Sequence, residues 1–264
     1  MKRVKTIFGS LFALTLVSAV GLASAGELDQ IKAAGKIRIA VAMGVPLFSY
    51  ADANLQPAGS DVDTAKLLAK DLGVKLELVQ ITNAARIPTI QTGKADLAVA
   101  NLSVTDERKK VIDFSTPYAA LQTIVAAPKA VAIHNYADLA GKDVGVTRAT
   151  VNDSTITKMA KGANIKRFED DATLITAAVS GQVGVVSTQA PLIGEINKKT
   201  SGKPFETKFV MQNYMLGIAL PKNNPKLKEW VDAWVVANLK NGKLNEIYKK
   251  YHGADLPESV TNVK

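Results

Sequence analysis

The chain has 264 residues, 47% hydrophobic and 22% charged, a globular balance with length enough for one large domain or two lobes. The absence of cysteine excludes disulfides, thiolate nucleophiles and cysteine metal clusters, and the two histidines, His134 and His252, are too far apart for a local metal motif. The net charge of +9 comes from scattered lysines rather than a basic block interleaved with aromatics, so no nucleic-acid partner is expected.

The first element is a leader. Lys2, Arg3 and Lys5 precede an apolar run over 7–22, and Ala23, Ser24 and Ala25 put small residues at a cleavage site before Gly26. That is the three-part pattern of a secretory signal peptide. A membrane anchor would share the basic start, but the run is short for a span and the cleavage site is good. Removal of residues 1–25 takes three basic residues with it and leaves +6. Without a cysteine after the cleavage site, no lipid anchor on cysteine is expected.

The next segments alternate. Residues 35–43 read as a strand after a Gly-Lys turn, and 61–73 as a helix with Val62, Ala65, Leu68, Ala69 and Leu72 on one face and Gly73 ending it. Residues 74–80 alternate apolar and polar as a strand does, 85–93 read as a short helix, and 94–102 as a strand. The order then repeats: strand 141–149, helix 152–162, extended 164–170, helix 171–181 and strand 182–188. Strands alternating with helices predict parallel pairing, hence two α/β units, one before about residue 127 and one after it. A helix over 225–242 starts at proline and stops at glycine. Its Trp230 and Trp234 lie one turn apart, a spacing that favours core packing over ligand stacking.

Two such units imply a cleft, and ligands of open α/β sheets lie beyond the carboxyl ends of strands. Residues 101–108, NLSVTDER, follow one such end. Asn101 and Ser103, two apart on a strand, would face the same way. Thr105 is suited to cap a helix whose first turn holds Asp106, Glu107 and Arg108. A guanidinium placed there can grip a carboxylate through two parallel hydrogen bonds. A solvated helix face would carry the same charges, and the residues by themselves leave both readings open.

Four stretches carry a resemblance: GSDVDTAKLLAKDLG (59–73), RIPTIQTGKADLAVANLSVTDERKKVIDFSTPY (86–118), GKDVGVT (141–147) and NGKLNEIYKKYHG (241–253). Together, and in this order, they resemble the periplasmic polar-amino-acid-binding proteins of ABC transporters, solute-binding protein family 3. The resemblance implies an α/β fold of the two-lobed periplasmic-binding-protein type (type II). Each lobe would be a mainly parallel sheet flanked by helices, with two crossover hinge strands near 123–129 and 214–222. Lobe 1 would hold 26–126 and 217–264, and lobe 2 would hold 127–216.

The resemblance also implies site residues. Arg108 matches the clamp on a ligand α-carboxylate, and Ser103 its hydroxyl helper. Asn101 and the backbone of Leu102 match positions beside the α-amino group. Thr150 and Val151 stand at the helix start where the family has two threonines, and Arg86 matches either a side-chain carboxylate clamp or a structural bridge between loops. Gln189 stands where an aspartate usually holds the ammonium. In the lid segment Val45 replaces an aromatic, Phe48 is retained, and Ser60 departs from the family signature. These departures leave the ligand open.

The implied protein is a monomer of the periplasm, without cofactor or metal, that captures a small-molecule amino acid or similar carboxylate and passes it to an ABC transporter permease. An enzyme on the same scaffold, dehydratase-like, would need a general acid in the cleft, and Gln189, Asn101 and Ser103 supply none. A sensor module would be fused to membrane segments, and no apolar stretch after the leader is long enough to be one.

Overall fold

The computed structural model describes residues 28–200 and 202–262. The expected signal segment 1–25 and its cleavage before Gly26 lie outside the described residues. Among the described residues no helix is long and apolar enough to cross a membrane.

The first unit runs α1 (Leu28–Ala34), β1 (Lys36–Ala42), β2 (Tyr50–Ala51), β3 (Pro57–Ala58), α2 (Ser60–Leu72), β4 (Lys75–Ile81), α3 (Arg86–Gln91), β5 (Leu97–Ala98), α4 (Asp106–Lys109) and β6 (Asp113–Phe114). In α2 the spaced residues Val62, Ala65, Leu68, Ala69 and Leu72 are buried, and Gly73 closes the helix at φ 76°, a left-handed turn that glycine makes without steric cost. β1 pairs in parallel with β4 and β5. The strand expected over 94–102 is much shorter than its apolar run. Only Leu97 and Ala98 form β5, and the chain turns at Asn101, φ 47°. Asparagine tolerates this left-handed conformation better than other side chains, so Asn101 and Ser103 do not share a strand face.

The second unit runs β7 (Ala119–Pro128), a 3-10 turn at Ala137–Leu139, β8 (Asp143–Thr147), α5 (Val151–Met159), β9 (Asn164–Phe168), α6 (Asp171–Val179), β10 (Val185–Gln189), α7 (Leu192–Lys199) and β11 (Phe205–Leu216). Its sheet has the order β11-β7-β10-β8-β9. β8 is parallel to β9 and β10, whereas β7 is antiparallel to both β10 and β11. α6 starts with a capping box: Asp170 accepts from the Thr173 backbone at 2.8 Å, and Thr173 Oγ1 accepts from the Asp170 backbone at 3.3 Å.

The chain then returns as β12 (Ala219–Leu220) to complete a first sheet of order β4-β1-β5-β12-β6, with β12 antiparallel to β5 and β6. Both sheets are therefore mixed. The antiparallel pairs come from strands that run between the lobes and back. α8 (Pro225–Lys240), α9 (Lys243–His252) and α10 (Glu258–Thr261) follow. Trp234 is buried in the first core with its indole N–H donating to Asp71 Oδ2 at 2.8 Å, and Trp230 packs against the same core, so neither is available to stack on a ligand.

Two sets of buried side chains locate the lobes. Ile37, Ile39, Leu68, Leu97 and Trp234 belong to one core; Ile124, Leu174 and Val186, with Val125, Val144 and Ile156 beside them, fill the other side. Burying each such Ile or Leu contributes roughly 1.5–3 kcal/mol. β7 and β11 join the two. On β7, Ala119 and Leu121 pack in the first core but Ile124 and Val125 in the second; on β11, Phe209 and Met211 pack on the second side but Tyr214 and Leu216 on the first. The change from one core to the other thus falls between Leu121 and Ile124 on β7 and between Met211 and Tyr214 on β11.

Candidate functional site

The ends of both sheets meet at a cleft enclosing about 370 Å³, counted out to its mouth. From the first lobe come Asn83 after β4, Arg86 opening α3, Asn101 and Ser103 after β5, and Arg108 in α4; Leu121 of β7 forms the floor. From the second come Thr147 at the end of β8, Thr150, Val151 and Asn152 at the start of α5, Asp171 opening α6, and Ser187 to Gln189 ending β10. Carboxyl ends of parallel strands converge from both sides, as in open α/β sheets generally. Among the described residues that line it, Leu121 and Val151 are apolar and none is aromatic.

In the first wall, Thr105 caps α4 by accepting from the Arg108 backbone at 3.2 Å. The helix start turns the Arg108 side chain back toward the strand end, where Nη1 donates to the Ser103 carbonyl at 2.9 Å and Nη2 to the Ala149 carbonyl of the other lobe at 3.4 Å. Burial pulls its pKa down to about 10, partly offset by Tyr214, so it is a cation at neutral pH in a partly dehydrated place. Neither bond goes to a carboxylate.

Arg86 is 3% exposed. Nε donates to the Asn83 carbonyl at 2.9 Å, Nη1 to those of Ala100 and Asn101 at 3.3 and 2.9 Å, and Nη2 to Ala149 at 3.1 Å. Burial first, then the charge of Arg108, pulls its pKa down to about 9, while Asp171 and Asp61 act the other way. Of its two readings from sequence, the geometry is that of a bridge: its donors hold the turn at Asn101 and reach across to Ala149. Behind that turn Asp61 is fully buried, taking hydrogen bonds from the Tyr118 hydroxyl at 2.7 Å and from the Asn101 backbone. Burial pushes this carboxyl up to about 6.

In the second wall, Thr150 caps α5, accepting from the Asp153 backbone at 3.2 Å and donating to the Thr147 carbonyl at 2.7 Å, so its hydroxyl is engaged within its own lobe. Asn152 ties α5 to β10 through Ser187 Oγ at 3.2 Å and the Thr188 carbonyl at 2.9 Å. Asp171 is 4% exposed. The Thr147 hydroxyl donates to one carboxylate oxygen and Gln189 Nε2 to the other at 3.2 Å. Burial pushes its pKa up to about 6 against those two bonds and the charge of Arg86, with Asp170 adding to the rise. At the rim, the Ala172 backbone donates to the Gly44 carbonyl at 3.0 Å, joining the lobes outside the cleft.

Of the residues expected from sequence, Arg108, Ser103, Asn101, Thr150, Val151, Gln189 and Arg86 come together here. Phe48 does not: it is 1% exposed in the first core, its ring 4.6 Å from that of His252. The Leu102 side chain is equally buried there, and its backbone carbonyl accepts from the Gly217 backbone at 3.2 Å. Both follow the rule that a large apolar side chain beside a packed core enters it. Sequence reasoning missed Asp171, and with it concluded that the cleft has no carboxyl group. The doubled acid at 170–171 was a local signal, but one that also fits an ordinary helix start.

A profile of the bacterial extracellular solute-binding proteins, family 3, matches residues 37–254. An ABC transporter glutamine-binding protein of Bacillus subtilis (strain 168) is 30% identical over 94% of this chain and 96% of its own. The solved structure of a solute receptor for L-cysteine from Neisseria gonorrhoeae matches with TM-score 0.79 at 30% identity, covering 90% of this chain and 97% of that one. An ancestral amino-acid-binding protein, described as a precursor of cyclohexadienyl dehydratase, matches with TM-score 0.76 at 32% identity, covering 85% and 98%.

Proposed function

Because the chain belongs to the bacterial extracellular solute-binding proteins of family 3, we propose that it captures an amino acid or a related small carboxylate between its lobes and delivers it to an ABC permease. Residues 1–25 act as the export signal, and the mature chain works as a monomer in the periplasm. The lobes divide within β7 and β11, so that residues up to about 122 and from about 213 move against the rest.

Arg108 carries this reading. It is a largely buried cation at a small polar cleft, and its guanidinium touches only two backbone carbonyls, one from each lobe. A carboxylate entering the cleft replaces those weak partners with a charge-assisted bidentate pair, and the Ser103 hydroxyl can donate to a remaining lone pair. The known proteins it resembles bind different amino acids, so the family alone does not name the ligand.

A thermal-shift screen of amino acids, opines and dicarboxylates tests the reading. A ligand adds RT ln(1 + [L]/Kd) to the unfolding free energy and so raises the melting temperature, and its affinity follows from calorimetry. No shift with any member of the screen would refute it. An enzymatic reading is favoured by one observation, the Asp171 carboxyl with its pKa near 6, which suits a general acid. Turnover of any compound that binds, followed by mass spectrometry, separates the two.

A further inference from the structure

The first lobe buries an acid that does not line the cleft. Asp61, in the first turn of α2, is 0% exposed. Tyr118 donates to its Oδ1 at 2.7 Å, and its Oδ2 is buried without a partner. The cation that acts on it, Arg86, spends its hydrogen bonds on backbone carbonyls instead. Burial pushes the Asp61 pKa up to about 6. The carboxyl therefore stabilises the fold when protonated, and that contribution is lost as the pH rises through 6. At neutral pH its charge is a cost to folding, although an amide of the same shape could accept the same hydrogen bond.

One peptide unit is held between the two charges. The Asn101 N–H is directed at the Asp61 carboxyl, and the carbonyl of the same unit, that of Ala100, accepts from Arg86 Nη1 at 3.3 Å. A peptide dipole is positive at N–H and negative at C=O, so an anion on one side and a cation on the other align it. That alignment fixes the backbone beside it. A flip of this peptide would rotate φ of Asn101 away from 47°, a left-handed value that few residues adopt freely. Asn101 and Ser103 line the cleft within two residues of the peptide, and the Ser103 carbonyl accepts from Arg108 at 2.9 Å. Resting on the reading that the cleft takes a small carboxylate, we propose that Asp61 is a positioning residue of the binding site. Ionised, it holds this peptide against Arg86 and so keeps Asn101, Ser103 and Arg108 in their binding arrangement, without touching what binds. Its charge lowers fold stability and raises affinity, opposite signs that a purely structural residue does not combine. The groups facing Asp61 are Tyr118 ahead of β7, Arg86 on α3 and, on α9, His252, whose Nε2 lies 3.1 Å from Oγ of the neighbouring Ser60. Tyr118 and Arg86 favour the ionised form, and His252 is uncharged above about pH 4. Protonation below about pH 6 therefore releases the peptide.

The experiment uses the full mature chain and, as probe, the tightest binder among the twenty L-amino acids, found by calorimetry at pH 7.5. Asp61→Asn keeps the shape and removes the charge. It should weaken the probe about tenfold at pH 7.5 but only about twofold at pH 5, where the wild type is largely protonated. Acids common to both proteins, Asp171 among them, cancel in this ratio. The melting temperature of Asp61→Asn without probe should hold or rise at pH 7.5. Tyr118→Phe removes a donor to the carboxylate and should move the acid loss of affinity about one unit toward higher pH. The Asn101 backbone amide resonance gives a reading without any probe. It should titrate near pH 6 in the wild type, higher in Tyr118→Phe, and not at all in Asp61→Asn. Unchanged affinity in Asp61→Asn, or a fall in affinity matched by a fall in melting temperature, would overturn the positioning role. A wild-type chain that binds none of the twenty would count against the amino-acid reading alone, and the Asn101 titration would still decide whether Asp61 grips the peptide.

Discussion

Arg108→Ala tests the carboxylate clamp directly. In the ligand-free protein the substitution removes two bonds to backbone carbonyls, one of 2.9 Å that is half-buried and one of 3.4 Å that is exposed. Water can replace them there, and the cost to unfolding stability is about 1–2 kcal/mol. With ligand bound, the loss is of a different kind. Burial already pulls the guanidinium pKa down to about 10 in the ligand-free protein, and a ligand carboxylate that fills the cleft without its partner is buried and unpaired. Truncating one member of such a pair costs about 2–5 kcal/mol, which is roughly 30-fold to several-thousand-fold in Kd. Arg108→Lys restores part of this, because ammonium is a point charge without the planar fork. Lys109 is the internal control. It lies in the same turn and pairs with Asp106 at 3.5 Å, both side chains largely exposed, an arrangement that contributes little. Calorimetry on the best amino-acid ligand measures all three variants. If Arg108→Ala binds as well as Lys109→Ala, the charged run is a solvated helix face and the clamp is wrong.

Three further outcomes are expected. Burial against Tyr248 and Phe48 holds the His252 imidazole down at about 4, below its ordinary 6.5. Its contribution to stability is therefore intact above pH 6.5 and lost as the pH falls toward 4, a change of about 3 kcal/mol. Urea unfolding should show the gap between wild type and His252→Phe shifting by about that much between pH 7 and pH 4, and a constant gap would refute it. Gly44 has φ 77°, and a Cβ there would lie 2.6 Å from Asp170 Cγ of the other lobe. Gly44→Ala should thus disfavour closure: small-angle scattering at saturating ligand should show less compaction than in the wild type, with about 1 kcal/mol of lost fold stability from the left-handed backbone. Arg86→Met leaves buried carbonyls unsatisfied and should lower unfolding stability by about 3 kcal/mol or more; selectivity between mono- and dicarboxylic amino acids should not change, and a selective loss of the dicarboxylic ones would make Arg86 a ligand clamp after all.

Much of the architecture was readable from the chain. The face of α2, its stop at Gly73, the cap at Thr105 and the strand-helix alternation in both units follow from local periodicity and capping chemistry, which depend on neighbours within a few residues. Where the reading failed, the controlling interaction was distant. The apolar run over 94–102 looked like a long strand, but the bonds of Arg86 and Asp61 to Asn101 end it early.

By itself the sequence determined the α/β class and the two units, because periodicity and caps encode them, and it left Arg108 open between a cleft and a solvated helix face. Tertiary structure alone decided the rest of the site. It sent Phe48 and the Leu102 side chain into the core, turned Arg86 into a brace between Asn101 and Ala149, and brought Asp171 into the space that Arg108 faces. Arg108 and Asp171 lie on different lobes and are far apart in the chain, so no local spacing relates them. Their meeting depends on two separately packed sheets being closed against each other through β7 and β11, and that is a property of long-range contacts, which periodicity does not record.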